Sequence, residues 1–397
     1  MSPRSRREQL ALLMTVCCLG MTHLSLVSPV LPELAKALGV SISVVGWVQG
    51  SAAFPGIFLA IFVGYLADRF GGRRVILTCV TIFTIFGSAC FLATSFPMLL
   101  GLRMLQGIGT SGIVGVAVTL IGELFEDDQK RLRVLGTNLA LMYLTQLVVP
   151  VLSGIVAAGG AFRPFLLYLV GAPIAIWAYR LAVGQPGEAA SSPIRHVRAA
   201  HQDLRRRKTG VDFLGLILVT AIGVMVFQGA TLTAVPLMLD EVFGTASTGR
   251  GLVVSAFLLG AMVSVLGVVR VISGRISGRV LSTGIWLMSI GLFTVLVAGF
   301  PLMVSAGLAI AGAGFGLVIT LAQRDAITSC SPAYRGVVML TWVAGVRVAQ
   351  VIAPPFASFV TGVVGPRSMF LLTTVMTAFA ALAWRPLRRR LRRTFYS

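Results

Sequence analysis

Arg103, Arg347 and His23 each stand inside a long hydrophobic stretch of this chain. A guanidinium in such a place costs several kcal/mol unless it meets water, a carbonyl or an anion. Gln106 follows Arg103 by three residues and Gln350 follows Arg347 by three, so each amide shares a helical face with its arginine. His23, with Ser25 close by, is the one imidazole in an apolar stretch, and an ordinary pKa of about 6.5 suits it to carry a proton. What these side chains offer is the holding of anions and protons, not the making of bonds. His196 and His201 lie in a polar, basic segment with no nucleophile or metal-ligating neighbours, and the five cysteines show neither zinc spacing nor a disulfide framework. A phosphate loop of the G-x-x-x-x-G-K-[ST] type is missing as well. The pattern therefore predicts no enzyme, no metal, no cofactor and no direct use of ATP.

The elements that must position these residues follow from composition. Of 397 residues, 56% are hydrophobic and 12% are charged, and the mean hydropathy is +0.92. Soluble domains carry about 25% charged residues, so this is a lipid-embedded chain. A helix needs about 20 apolar residues to cross the hydrocarbon core, and twelve stretches qualify. They lie roughly at 10–30, 44–66, 75–95, 97–121, 134–158, 164–183, 212–235, 250–272, 280–300, 302–322, 337–361 and 368–385. The first is too long for a signal-peptide core and leads into Pro29 and Pro32 without a clear cleavage site, so it reads as a span.

The net charge of +20 does not point to nucleic acid, because the basic residues cluster between spans. Arg4, Arg6 and Arg7 open the chain and Arg385, Arg388, Arg389, Arg390, Arg392 and Arg393 close it. Loops on that side add Arg69, Arg73, Arg74, Lys130, Arg131, Arg133 and the run Arg205 to Lys208. The opposite loops hold Lys36, Arg163, Arg250 and Arg367. By the positive-inside rule both termini are expected in the cytoplasm, with the basic runs also drawing anionic lipid.

Between spans 2 and 3 the chain reads G-Y-L-A-D-R-F-G-G-R-R-V-I-L from Gly64 to Leu77, a charged, Gly-rich turn between two apolar runs. This segment resembles the loop G-x-L-a-D-R-x-G-[RK]-[RK] of the major facilitator superfamily (MFS) of membrane transporters. Gly64, Leu66, Ala67, Asp68, Arg69, Gly71 and Arg73 match, and Gly72 replaces the first basic residue. Leu99, Arg103, Gln106, Gly107 and Gly109 match a second signature, L-x-x-x-R-x-x-Q-G-x-G. The antiporter pattern of the fifth helix survives as Pro150, Ser153 and Gly154, with Thr145 and Val149 in place of two glycines. S-P-V-L-P-E-L-A, after span 1, is similar to the first-helix exit of drug-efflux members.

The two halves echo each other. Gly64 to Phe70 returns as Gly274 to Val280 with Gly278 in place of the aspartate, and Arg131, Pro150 and Arg163 return as Arg335, Pro354 and Arg367. The expected fold is all-α, with twelve transmembrane helices as two six-helix repeats: residues 1–183, a linker at 184–211, and residues 212–397 with a basic tail. The resemblance implies a conformational latch formed by Gly64, Asp68, Arg69, Gly71, Arg73 and Glu123, with Arg73 pairing Glu123. It also implies a role for Arg103, with Gln106, in proton or substrate coupling, and a cavity near the membrane midplane with Asn138, Tyr143, Gln146, Gln228, Thr231 and Thr341 as polar candidates and Trp342 as an aromatic wall; Arg347 with Gln350, which match no motif of the family, are coupling or substrate candidates on their residue types alone.

No aspartate or glutamate falls clearly within a span core, so proton coupling would rest on Glu33 at the outer mouth or on His23. The leading expectation is a monomeric multi-pass cell-membrane exporter of small apolar or amphipathic compounds by proton antiport, a multidrug or metabolite efflux function. Its alternatives are uptake or uniport of a small organic anion on the embedded arginines, and a non-transporting scaffold or sensor. Asp68→Asn separates transporter from scaffold. Substrate flux in proteoliposomes should fall about tenfold or more if Asp68 caps a moving helix end, with insertion and yield unchanged.

Overall fold

The computed structural model describes residues 3–125, 127–181, 210–271, 277–328 and 335–395, and among them every regular element is helical. Nine helical runs among these residues are long and apolar enough to cross a membrane, and Val280–Leu296 and Ser368–Trp384 are shorter apolar helices. The chain is thus a multi-pass, all-α membrane protein. It divides into two compact units, Met1–Ala190 with Ala246–Gly251, and Ser191–Thr245 with Leu252–Ser397. Most of the linker expected at 184–211, and with it His196, His201 and the run Arg205 to Lys208, lies outside the described residues, as do Gly274, Arg275 and Cys330.

In the first unit α1 (Pro3–Ser25) stops before a single 3₁₀ turn at Ser28–Val30 and the short α2 (Leu31–Leu38), where Pro29 and Pro32 withhold the amide hydrogens a continuous helix would need. Then come α3 (Ile42–Val45), α4 (Trp47–Ala53) and α5 (Pro55–Phe70). The stretch expected as one span at 44–66 is therefore broken at Phe54, because Pro55 starts a helix more readily than it continues one. Gly71, at φ 88°, turns the chain directly into α6 (Gly72–Ala89), a conformation that a side chain with a Cβ rarely adopts.

Next follow α7 (Phe96–Glu123) and α8 (Asp128–Ala157), the latter started by the Asp127 carboxylate accepting from the Gln129 amide at 2.9 Å. A 3₁₀ stretch, Arg163–Val170, leads into α9 (Gly171–Leu181). The long α7 is the centre of this unit, with α1, α4, α5 and α6 packed around it.

In the second unit α10 (Gly210–Val224) passes into a π-helical stretch, Met225–Ala234, and then α11 (Val235–Phe243). There Thr231 and Thr233 donate to the carbonyls five residues back, Val226 and Gln228, which fits the wider turn. The remaining elements are α12 (Ser247–Val271), α13 (Ser277–Leu296), α14 (Pro301–Thr328), α15 (Arg335–Val364) and α16 (Ser368–Phe395). Phe227, Phe257 and Phe315 meet with ring centroids 5.3, 5.3 and 5.5 Å apart and join the π-helical stretch to α12 and α14.

Helices in lipid gain little from apolar burial against one another, so close backbone approach has to hold them. At Gly312 a Cβ would run into the carbonyl of Phe257, which is how near α12 and α14 lie. Gly312→Leu should push these helices apart and lower stability by about 1–3 kcal/mol, read as a drop in the thermal midpoint of the detergent-purified protein.

Candidate functional site

Arg103 is fully buried in the first third of α7, and its guanidinium is nearly saturated by its own protein. Nε donates to the Val48 carbonyl of α4 at 3.0 Å and Nη2 to the His23 carbonyl of α1 at 3.2 Å. Nη1 donates to Gln106 Oε1 at 2.6 Å and to the Tyr168 hydroxyl at 3.1 Å. Four of the five N–H groups of a guanidinium are thereby engaged. Arg103, which the sequence offers as an anion or proton site, thereby ties α1, α4 and the Arg163–Val170 stretch to α7. Tyr168, buried edge-to-face against Phe83 at 5.1 Å, was not legible as a member of this cluster, because it lies 65 residues from Arg103.

His23 is buried, and its Nδ1 lies 2.6 Å from the Gly20 carbonyl, which can only accept, so Nδ1 carries a proton. On α8, Asn138 and Gln146 are buried eight residues apart on one face. The Asn138 amide donates to Met142 Sδ at 3.4 Å and the Gln146 amide to Met21 Sδ of α1 at 3.7 Å. Tyr143 is half-buried on the same helix. Pro150 is buried within α8, and Ser153 donates a short hydrogen bond to the Leu26 carbonyl just beyond α1.

At the other end of this unit, Gly64 and Asp68 sit in the last turns of α5, with their surroundings outside the described residues. Arg69 is exposed, donates to the Tyr65 hydroxyl at 3.3 Å and lies over the Phe70 ring at 5.4 Å. Arg73 Nη2 donates to Gln9 Oε1 of α1 at 2.7 Å, and Glu123, expected as its partner, is exposed at the end of α7. The long arginine reaches the start of α1 because α6 begins immediately at the Gly71 turn.

In the second unit Gln228 is buried within the π-helical stretch. On α15, Arg347 is half-buried and donates to Gln350 Oε1 at 3.2 Å, and among the described residues it makes no ion pair. Trp342 is buried on the same helix with its Nε1 donor unpartnered among the described residues. This helix thus offers hydrogen-bond donors and a positive charge without a carboxylate to neutralise it. No group of three or more metal-ligating side chains occurs among the described residues.

The family model of the Major Facilitator Superfamily matches residues 12–340 and 279–396. The chain belongs to the Major Facilitator Superfamily. Membership of this superfamily of transporters agrees with the lack of an enzymatic constellation in the sequence. The MFS chain is similar to the Bacillibactin exporter of Bacillus subtilis (strain 168), 31% identical over 147 residues, which are 36% of this chain and 37% of that protein. It is 26% identical over 294 residues to Multidrug resistance protein 2 of the same organism, 69% of this chain and 71% of that one. The alignments to the Bacillibactin exporter and to Methylenomycin A resistance protein span little more than a third of those relatives, 37% and 36% of their lengths.

Among solved structures, the inward-facing, unoccupied bacterial homolog of the human lysosomal transporter Spinster superposes with a TM-score of 0.81 over 100% of both chains at 15% identity. The human organic anion transporter MFSD10 gives 0.67 over 97% of this chain and 100% of that one, also at 15% identity. These likenesses show the fold alone.

Arg103→Met should leave the His23 and Val48 carbonyls, Gln106 and Tyr168 without their donor. We expect a stability loss of about 3 kcal/mol or more in thermal unfolding, only partly restored by Arg103→Lys, which keeps the charge but not the fork.

Proposed function

We propose that this MFS member carries small organic anions with largely apolar bodies, by uptake or uniport, and that Arg347 with Gln350 holds the anionic group. One observation carries this reading: Arg347 stands within a span with an amide as its polar neighbour and no acidic partner among the described residues. An embedded guanidinium in that state is unfavourable by several kcal/mol, and an arriving carboxylate or sulfonate relieves it. Arg103 does not share the task, since its donors are already engaged. The few buried polar side chains of α15 and the π-helical stretch, Trp342 and Gln228 among them, favour an aromatic or aliphatic body over a sugar, which needs dense hydrogen bonding.

We further read the chain as twelve spans in two six-helix halves, 1–183 and 212–397, joined by 184–211, acting as a monomer with both termini in the cytoplasm. On this reading the Asp68 turn is the latch of an alternating-access cycle. A second reading, export of apolar or amphipathic compounds by proton antiport, draws support from the names of two similar proteins, the Bacillibactin exporter and Multidrug resistance protein 2.

A flux assay decides between them. In proteoliposomes, radiolabelled aromatic and aliphatic carboxylates should enter without an imposed proton gradient, and Arg347→Gln should raise the half-saturating concentration about tenfold or more, the loss expected for one charge-assisted contact. Transport of neutral and cationic drugs, unchanged by Arg347→Gln and dependent on an acid-inside gradient, would instead establish the export reading.

A further inference from the structure

The exposed face of α5 is a ridge of aromatic side chains. Phe54, which caps the helix, is 40% exposed, Phe58 67%, Phe62 53% and Tyr65 44%, and Arg69 follows one turn later, also exposed. At about 100° per residue these five positions fall within a sector of about 80°. Gly56 and Val63, on the opposite side of the helix, are buried. A Cβ at Gly112 of α7 would run into the Val63 side chain, so the packed face of α5 is fixed and the aromatic face is the one left over.

The ridge is apolar at one end and cationic at the other. The Phe54 and Phe58 rings meet edge to face with centroids 5.9 Å apart. Arg69 Nη1 donates to the Tyr65 hydroxyl at 3.3 Å while the guanidinium stands 5.4 Å from the centre of the Phe70 ring, so the cation is held beside the last residues of the ridge. In the turn that follows α5, Arg69, Arg73 and Arg74 stand against one aspartate, Asp68. From Tyr65 to Phe54 the helix rises about 17 Å at about 1.5 Å per residue, close to half of a hydrocarbon core about 30 Å thick. The ridge thus covers about one leaflet, with a tyrosine and an arginine, residues suited to the membrane interface, at its charged end.

We propose that this face of α5 docks one anionic phospholipid, with the phosphate on Arg69 and Tyr65 and one acyl chain along Phe62, Phe58 and Phe54. A guanidinium takes a phosphate through two parallel hydrogen bonds. The Tyr65 hydroxyl, which accepts from Arg69, keeps its own hydrogen to donate to a phosphate oxygen. Aromatic rings give the chain a broad surface with only two side-chain torsions each to order. Another helix fits this face poorly, because helices in lipid meet through small residues that let their backbones approach, and here four bulky rings stand out in succession. A zwitterionic lipid would cover the rings but leave the excess of arginine over aspartate in the turn unmatched, whereas an anionic headgroup complements it. The site is independent of the anion proposed for Arg347.

Fluorescence quenching by brominated lipid tests the site without any transport substrate. The full-length protein carrying Phe58→Trp is placed in phosphatidylcholine vesicles doped with acyl-brominated phosphatidylglycerol or, at the same mole fraction, acyl-brominated phosphatidylcholine. The added tryptophan is read as the difference from the unsubstituted protein, so the five native tryptophans cancel. Ile85→Trp, at an exposed position on α6 about as far beyond Gly71 as Phe58 is before it, is the control at similar depth. Phosphatidylglycerol should quench Phe58→Trp about fivefold more effectively than phosphatidylcholine, the preference that one interfacial arginine supplies, and should show no such preference at Ile85→Trp. Adding Arg69→Gln should bring the Phe58→Trp ratio down to that of Ile85→Trp, while quenching at Ile85→Trp stays unchanged as the sign of an intact fold. Equal ratios at the two positions in the parent protein would reduce the ridge to ordinary lipid contact and overturn the proposal. So would a preference that survives Arg69→Gln, or a Phe58→Trp that neither lipid quenches, since something other than lipid would then cover the face.

Discussion

The saturation of Arg103 is the interaction on which the first unit depends. A guanidinium sealed from water must have its donors met by protein. They are met by carbonyls and side chains from four separate stretches, Val48, His23, Tyr168 and Gln106. That requirement orients α1, α4 and the 3₁₀ stretch about α7.

The same logic runs through the other arginines with different results. Arg367 donates to the Leu296 and Ala298 carbonyls at 3.3 and 2.8 Å and so closes the C-terminal end of α13, whose last carbonyls have no partner within the helix. Arg250 finds the Pro29 carbonyl and the Glu33 carboxylate. Arg347 finds one amide. These side chains thus range from a structural brace, Arg103, and a helix cap, Arg367, to Arg347 with one amide partner among the described residues.

Much of this molecule was legible in order but not in detail. Apolar runs, the Asp68 turn and the Arg103 signature point to the membrane fold and the superfamily, because bilayer thickness and positive charge in loops act on the sequence directly. The breaks inside the spans were less visible. Proline at 55 divides one span, and the π-helical stretch at Met225–Ala234 interrupts another that contains no proline before Pro236. Local composition does not announce the second kind of break, which is sustained by the packing of Phe227 against Phe257 and Phe315.

By itself the sequence determined that the chain is an all-α membrane protein of the MFS type, that its arginines at 103 and 347 are embedded, and that no enzymatic constellation is present, since these depend on residue type and spacing along one strand of chain. Only the tertiary structure decided which carbonyls and side chains meet each embedded cation. It also turned Arg250 from a loop residue into the buried partner of Glu33, 217 residues away. A charge in lipid is defined by what stands within hydrogen-bond reach of it, and those neighbours come from helices far apart in sequence.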